Sequence, residues 1–298
     1  MKKFFAYSVM SLVLVVGLLL YSCQGTKTVA KAPKDALEKS LLWKVSGPNI
    51  QDSYLFGTIH ILPQKDFALS EATKQAFGEA ANIVLELDMD DPSLQMEMMQ
   101  YAMMPDGKTL KDHLSTEEYA KLDAWLQKSA NVKLEMVHNM QPLLLTSLIM
   151  KEYLGEAPAS YELSLVQMAK EQEKEILGLE SVKEQMSAIT DYGVDNQVRD
   201  LKDMIAQPEK YRDAFNQLVA AYKANDPDGL YQFMQSQMPG NSMNVNLIEK
   251  RNQNWIPRIQ KMASDKSCFF AVGSGHLGGE QGVIRLLREA GYTVNAVQ

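Results

Sequence analysis

The chain has 298 residues, 46% of them hydrophobic, and a formal net charge of −7. A chain of that size buries a sizeable core without covalent staples, and its acidic balance supplies no basic surface, which argues against nucleic acid as a partner. Cys23 and Cys268 are the only cysteines, so no disulfide framework is expected.

In chain order, Lys2 and Lys3 precede an apolar run from Phe4 to Tyr21 that ends in Leu20-Tyr21-Ser22-Cys23 and turns polar at Gln24. That is the layout of a secretory signal over residues 1–22, with Leu20 and Ser22 as the informative lipobox positions and Cys23 as the lipidated first residue of the mature protein. The alternative is an uncleaved membrane anchor, since about 18 apolar residues just span a bilayer. Both put the bulk of the chain outside the cytoplasm. The expected location is a bacterial cell envelope, lipid-anchored, at the outer membrane facing the periplasm. Residues 23–40, polar with Pro33, read as a flexible tether.

The folded part is expected from residue 41 to residue 298. Leu41 to Val45 alternates into the turn residues Gly47-Pro48-Asn49, and Ser53 to Phe56 supplies a second strand, so a hairpin is predicted. The second strand runs directly into Gly57-Thr58-Ile59-His60. Ser70 caps a predicted helix reaching Ala80, and Asn82 to Asp88 is an apolar strand that delivers Glu86. The C-terminal end repeats this order: strand Ser267 to Val272, then Gly273-Ser274-Gly275-His276, helix Gln281 to Ala290, strand Tyr292 to Val297. The fold class is therefore α/β, with a central mixed sheet built from two similar β-(Gly-x-x-His)-α-β units. These units bracket a large helical insert, about 93–265, with helices predicted near 119–128 (capped by Thr116), 140–153, 160–173, 181–190, 196–205, 208–224 and 245–263. Within it Glu175 to Glu180 reads as a short strand that ends in a second carboxylate.

In open α/β sheets, ligand chemistry gathers where strands end. His60, His276 and Glu86 are such strand-end groups, and imidazole with carboxylate is a usual ligand set for a hydrolytic divalent metal. The glycine three residues before each histidine permits close backbone approach or a positive φ. His113 and His138, in polar helical surroundings, read as surface residues. The methionine-rich stretch Met89 to Met104 reads as helix packing, with copper(I) binding or an adaptable peptide surface as alternatives. Trp125 and Trp255 read as core anchors.

Several separated motifs, taken together, resemble the TraB/GumN family, the TIKI-like proteins with paired Gly-x-x-His. They are Phe56-Gly57-Thr58-Ile59-His60, Leu85-Glu86-Leu87-Asp88, Gly178-Leu179-Glu180-Ser181 with Glu184-Gln185, Arg251-Asn252 with Trp255, and Ala271 to Leu277 with Gly279 and Gly282. The resemblance covers residues 41 to 298. It implies a fold similar to TIKI, erythromycin-esterase and ChaN-like proteins, and a divalent-metal peptidase centre formed by His60, His276 and Glu86 that acts on a peptide or protein substrate. Glu180 becomes a second candidate carboxylate and Arg251 a candidate oxyanion stabiliser or carboxylate clamp, with a buried structural ion pair as the alternative for both. The zinc-peptidase signature His-Glu-x-x-His is absent, and manganese, cobalt or zinc each suit the expected ligands. The competing function is a non-catalytic haem-, metal- or peptide-binding envelope lipoprotein.

Overall fold

The computed structural model describes residues 36–154, 158–237 and 245–298. Cys23 and the signal-like segment lie outside them. Eight strands and eleven α-helices alternate along the described chain. The strands are β1 (Leu42–Ser46), β2 (Ser53–Thr58), β3 (Leu62–Pro63), β4 (Asn82–Leu85), β5 (Pro158–Ala159), β6 (Glu175–Gly178), β7 (Cys268–Gly273) and β8 (Thr293–Val297). The helices are α1 (Glu71–Glu79), α2 (Leu94–Ala102), α3 (Thr116–Ala130), α4 (Pro142–Leu154), α5 (Tyr161–Glu171), α6 (Val182–Thr190), α7 (Val194–Ala206), α8 (Pro208–Lys223), α9 (Pro227–Gln237), α10 (Lys250–Asp265) and α11 (Val283–Glu289).

Six strands form one mixed sheet in the order β6-β4-β7-β2-β1-β8. The four from β6 to β2 run parallel, while β1 is antiparallel to both β2 and β8. Central position explains composition. β7, Cys-Phe-Phe-Ala-Val-Gly, is buried at every residue, as a parallel strand covered on both faces must be; truncating Phe269 or Phe270 to alanine would cost about 3–5 kcal/mol. Cys268 is a free, buried thiol at its start.

The two similar units interlock rather than sit side by side. The crossover from β2 through α1 to β4 leaves a gap that β7 fills, and the crossover from β7 through α11 reaches β8 beyond β2 and β1. In the paired register Thr58 lies opposite Gly273. The two Gly-x-x-His segments therefore leave neighbouring parallel strands at the same end.

Local chemistry closes these elements as expected at several points. Asn49 turns the β1–β2 hairpin at φ 59°, a left-handed conformation that asparagine tolerates. Ser70 accepts the Thr73 amide at the start of α1. At α3 the cap is Ser115, not Thr116: its hydroxyl accepts the Glu118 amide and the Glu118 carboxylate reaches back to the Ser115 amide. The helical part has its own core, in which α3, α4 and α7 pack on one another.

Other elements depart from expectation. A two-residue ribbon pairs β3 with β5, Leu62 opposite Ala159 and Pro63 opposite Pro158. The helix predicted from 245 opens with a π turn, Val245–Glu249, before α10 begins. Helix α9 packs on α8 and on the turn Ser274–His276. On it, buried Asp228 accepts the Leu37 and Gly279 amides and pairs with Arg285, which ties the start of the described chain to the loop after His276. His113 and His138 are half-buried in the helical part instead of exposed; His113 lies 3.7 Å from Asp195 and His138 3.4 Å from the Tyr119 hydroxyl. In the methionine-rich stretch Met98 and Met104 are buried, whereas Met96 and Met99 are exposed. Among the described residues no helix is long and apolar enough to cross a membrane.

Candidate functional site

Four parallel strands each end in a polar group of interest. Across the sheet, β6 delivers Glu180, β4 Glu86, β7 the turn holding His276, and β2 the turn holding His60. All four side chains are buried. The glycines explain the spacing, through close approach and not through positive φ. A Cβ on Gly57 would fall 2.6 Å from Leu277, so its absence lets the second histidine turn pack across the first strand. A Cβ on Gly273 would sit 3.2 Å from His60 Nε2 and 3.3 Å from Glu86 Oε1, inside the space these two groups face.

Both histidines are held by Nδ1. His60 Nδ1 lies 2.8 Å from Glu162 Oε1, and the same carboxylate accepts the Thr58 and Ser160 hydroxyls. Glu162 stands on the first turn of α5, carried there by the β3–β5 ribbon. For His276 the partner is Asn252 Oδ1 at 2.6 Å. Asn252 Nδ2 donates to the His276 and Gln281 carbonyls, so Oδ1 is the acceptor and the Nδ1 of His276 carries the proton. In each neutral ring the Nε2 lone pair is thereby aimed into the site, the orientation that second partners impose on metal-binding histidines. Among the described residues none bonds His60 Nε2.

Arg251, at the start of α10, occupies the middle of the cluster. Its Nη2 donates to Glu86 Oε2 at 2.5 Å and Glu180 Oε1 at 2.6 Å, its Nε to both Glu180 oxygens, and its Nη1 to Leu247 O at 2.9 Å and His276 Nε2 at 3.2 Å. Gln185 donates to both carboxylates, Gly273 N–H to Glu86 Oε1 at 2.7 Å, and Trp255 Nε1 to Glu180. Trp255 is fully buried, as a core anchor should be, but it also floors the site, with its ring under Arg251 and against His276.

These contacts sort the ionisation states. Burial alone would raise Glu86, but the Arg251 charge and the Gly273 amide hold it down at about 2, so it is a carboxylate at neutral pH. Glu180 is pushed upward by burial, against the pull of Arg251. Burial and then the Arg251 charge lower His276 to about 3, which keeps it neutral. For His60, burial lowers the pKa, but the charge and hydrogen bond of Glu162 outweigh it and leave the group raised.

The donor types suit a divalent ion: His60 Nε2 and Glu86 Oε1 face the space that Gly273 leaves open, while His276 Nε2 is taken up by Arg251 Nη1. The arrangement itself is cation-filled by Arg251, and among the described residues no three His, Cys, Asp or Glu side chains converge as they stand to hold an ion. Beside His60 lies a pocket walled by Ile59, Ile61, Phe215, Leu218 and Met234.

A mixed α/β sheet with paired strand-end histidines and an arginine-bridged pair of carboxylates defines the class. The chain belongs to the TraB/PrgY/gumN family, whose sequence model matches residues 41–296. It is 26% identical over 312 residues to Metalloprotease TIKI1 of Danio rerio, covering 86% of this chain and 62% of that protein. It is 27% identical to Metalloprotease TIKI2 of Xenopus tropicalis (86% and 59%) and 25% identical to Metalloprotease TIKI1 of Homo sapiens (91% and 64%). The chain thus spans about six-tenths of the length of the curated relatives it matches. No solved structure matches. Each of these relatives bears the name metalloprotease.

Glu162 escaped sequence reasoning because its position in a predicted helix carries no mark; the Thr58-x-His60 segment gives no hint of its partner. Asn252 stood inside a recognised motif without a role. Glu86, Glu180, His60, His276 and Arg251 all meet at one end of the sheet.

Proposed function

We propose that this protein is a metal-dependent peptide-bond hydrolase of the cell envelope, with His60, His276 and Glu86 as its reaction centre. The observation that carries this reading is the placement of two Nδ1-held imidazoles and an ionised Glu86 at the one end of the sheet where four parallel strands stop. His60 Nε2, His276 Nε2 and a Glu86 oxygen would hold the ion, be it manganese, cobalt or zinc. When bound, the ion supplies an acidified water and a polarised scissile carbonyl.

The remaining chemistry belongs to the chain. Glu162 and Asn252 fix each ring's tautomer and direction. Arg251 provides positive charge for an oxyanion or a substrate carboxylate. Glu180, with both oxygens committed to Arg251, Gln185 and Trp255, is better suited to anchoring that arginine than to carrying protons. The apolar pocket beside His60 suits an apolar substrate side chain next to the bond cleaved.

We further propose that lipid on Cys23 anchors the protein at the outer membrane, facing the periplasm. Palmitate labelling lost in Cys23→Ser supports this; labelling that persists overturns it.

The activity is tested by stripping the purified full chain with chelator, restoring manganese, cobalt or zinc, and offering a diverse peptide library beside His60→Ala and Glu86→Ala. Metal-dependent turnover abolished in both variants supports the reading. Full turnover in either variant removes the proposed centre, and stoichiometric metal or haem binding without turnover assigns a binding role instead.

A further inference from the structure

We propose that Arg251 is the resident cation of the strand-end site, and that a divalent ion and the Arg251 guanidinium occupy it by turns. This rests on the metal-dependent reading above. Three observations point to it. First, the Nη1 of Arg251 lies 3.2 Å from His276 Nε2, the one ring nitrogen left with a lone pair once Asn252 takes Nδ1. A ligand nitrogen that accepts a guanidinium hydrogen bond is not free to donate that lone pair to a metal. Second, Nη2 bridges Glu86 and Glu180, so the carboxylate expected to ligate is already charge-neutralised. Glu86 Oε1 stands 4.0 Å from His276 Nε2, wider than neighbouring ligands on one ion, which lie about 3.0–3.4 Å apart for bonds of about 2.0–2.1 Å, so the two groups must draw together when the arginine withdraws. Third, Arg251 is only two residues past the π turn Val245–Glu249 and donates to Leu247 O within it. A single π turn is a common functional distortion, and rewinding it to α geometry would move Arg251 relative to the sheet.

Arg251 thus has a different task in each state of the site. In the metal-free site it keeps two buried carboxylates from repelling each other and holds His276 in place. In the loaded site its charge is displaced from the ligands and becomes available to the substrate. The arrangement sets metal affinity low and makes it responsive to whatever draws the arginine away.

The experiment is equilibrium dialysis of the chelator-stripped full chain against Mn²⁺, with Co²⁺ and Zn²⁺ in parallel. Wild type is compared with Arg251→Gln and Arg251→Lys, and circular dichroism reports folding in each. Competition predicts that Arg251→Gln binds Mn²⁺ about tenfold or more tightly than wild type, with Arg251→Lys in between. A merely structural arginine predicts weaker binding in both variants, and that result overturns the proposal. If Arg251→Gln folds poorly without metal, added Mn²⁺ should restore its circular dichroism signal; no restoration also counts against the proposal. Wild type binding as tightly as Arg251→Gln overturns the competition alone and leaves the metal-dependent reading standing. Absence of binding by all three proteins to all three ions removes that reading, and the competition with it.

Discussion

His60 and Glu162 form a buried pair, Nδ1 to Oε1 at 2.8 Å, assembled from a strand end and a helix start more than a hundred residues apart. The carboxylate decides which nitrogen of the ring faces the site. Glu162→Gln keeps an acceptor for the Thr58 hydroxyl but removes the charge, and is expected to cost about 10–100-fold in turnover or metal affinity. Steady-state kinetics and metal dialysis read the loss, while a circular dichroism spectrum equal to wild type shows that the fold survives. Unaltered kinetics would mean that Glu162 only packs.

Asn252 does the corresponding work for His276 and also satisfies two carbonyls, those of His276 and Gln281. Asn252→Leu leaves these buried groups without donors. Unfolding in urea should show a loss of about 1–3 kcal/mol, together with loss of activity. A loss of activity without destabilisation would contradict the bonding described.

Gly273→Ala places a methyl group 3.2 Å from His60 Nε2 and 3.3 Å from Glu86 Oε1. It should abolish turnover with little change in secondary structure, since the backbone there is not in a glycine-only conformation. Gly78→Ala is the contrasting substitution. Gly78 lies within α1 with nothing within 4 Å of its missing Cβ, so alanine should stabilise the protein by about 0.4–1 kcal/mol and leave activity alone. Thermal melts beside peptide cleavage distinguish the two.

Away from the site, Asp200 on α7 is buried and bonded to the Tyr192 hydroxyl at 2.6 Å. Burial raises its pKa to about 6, against opposing pulls from Tyr192 and Arg199. The unfolded chain ionises it near 3.8, so the raised folded value favours the protonated form. Its stabilising contribution is whole below pH 3.8 and is lost as pH rises through 6. Asp200→Asn keeps the acceptor for Tyr192 and removes the buried charge. The variant should match wild type near pH 4 and exceed it by on the order of 2 kcal/mol at pH 8. A difference that does not vary with pH would refute the assignment.

Much of the sheet was legible because its signals are local. Continuous apolar runs such as Cys268 to Val272 and strand-end carboxylates such as Glu86 are visible in a short window, and the two Gly-x-x-His motifs mark where such strands stop. What joins those strands is not local. The register of Thr58 opposite Gly273 follows from the packing of two distant segments. The β3–β5 ribbon has prolines in both strands, which normally argue against a strand assignment, so Glu162 could not be placed on His60. Asn252 and Gln185 lie on helix faces whose periodicity resembles that of any other buried face. The π turn at Val245–Glu249 likewise has no marker in composition.

The interlocked strand order also constrains how the molecule is made. β7 lies between β4 and β2, yet it is encoded near the end of the chain, by residues 268–273. Until that segment emerges, β2 and β4 each present an unpaired apolar edge, and neither histidine has its final neighbours. Pairings so distant in sequence form slowly, and the intermediates that precede them are prone to aggregate. Any chain that stops before Cys268 would lack the keystone of the sheet, and His60, Glu86 and Glu180 would be left without the strand that gathers them at one end.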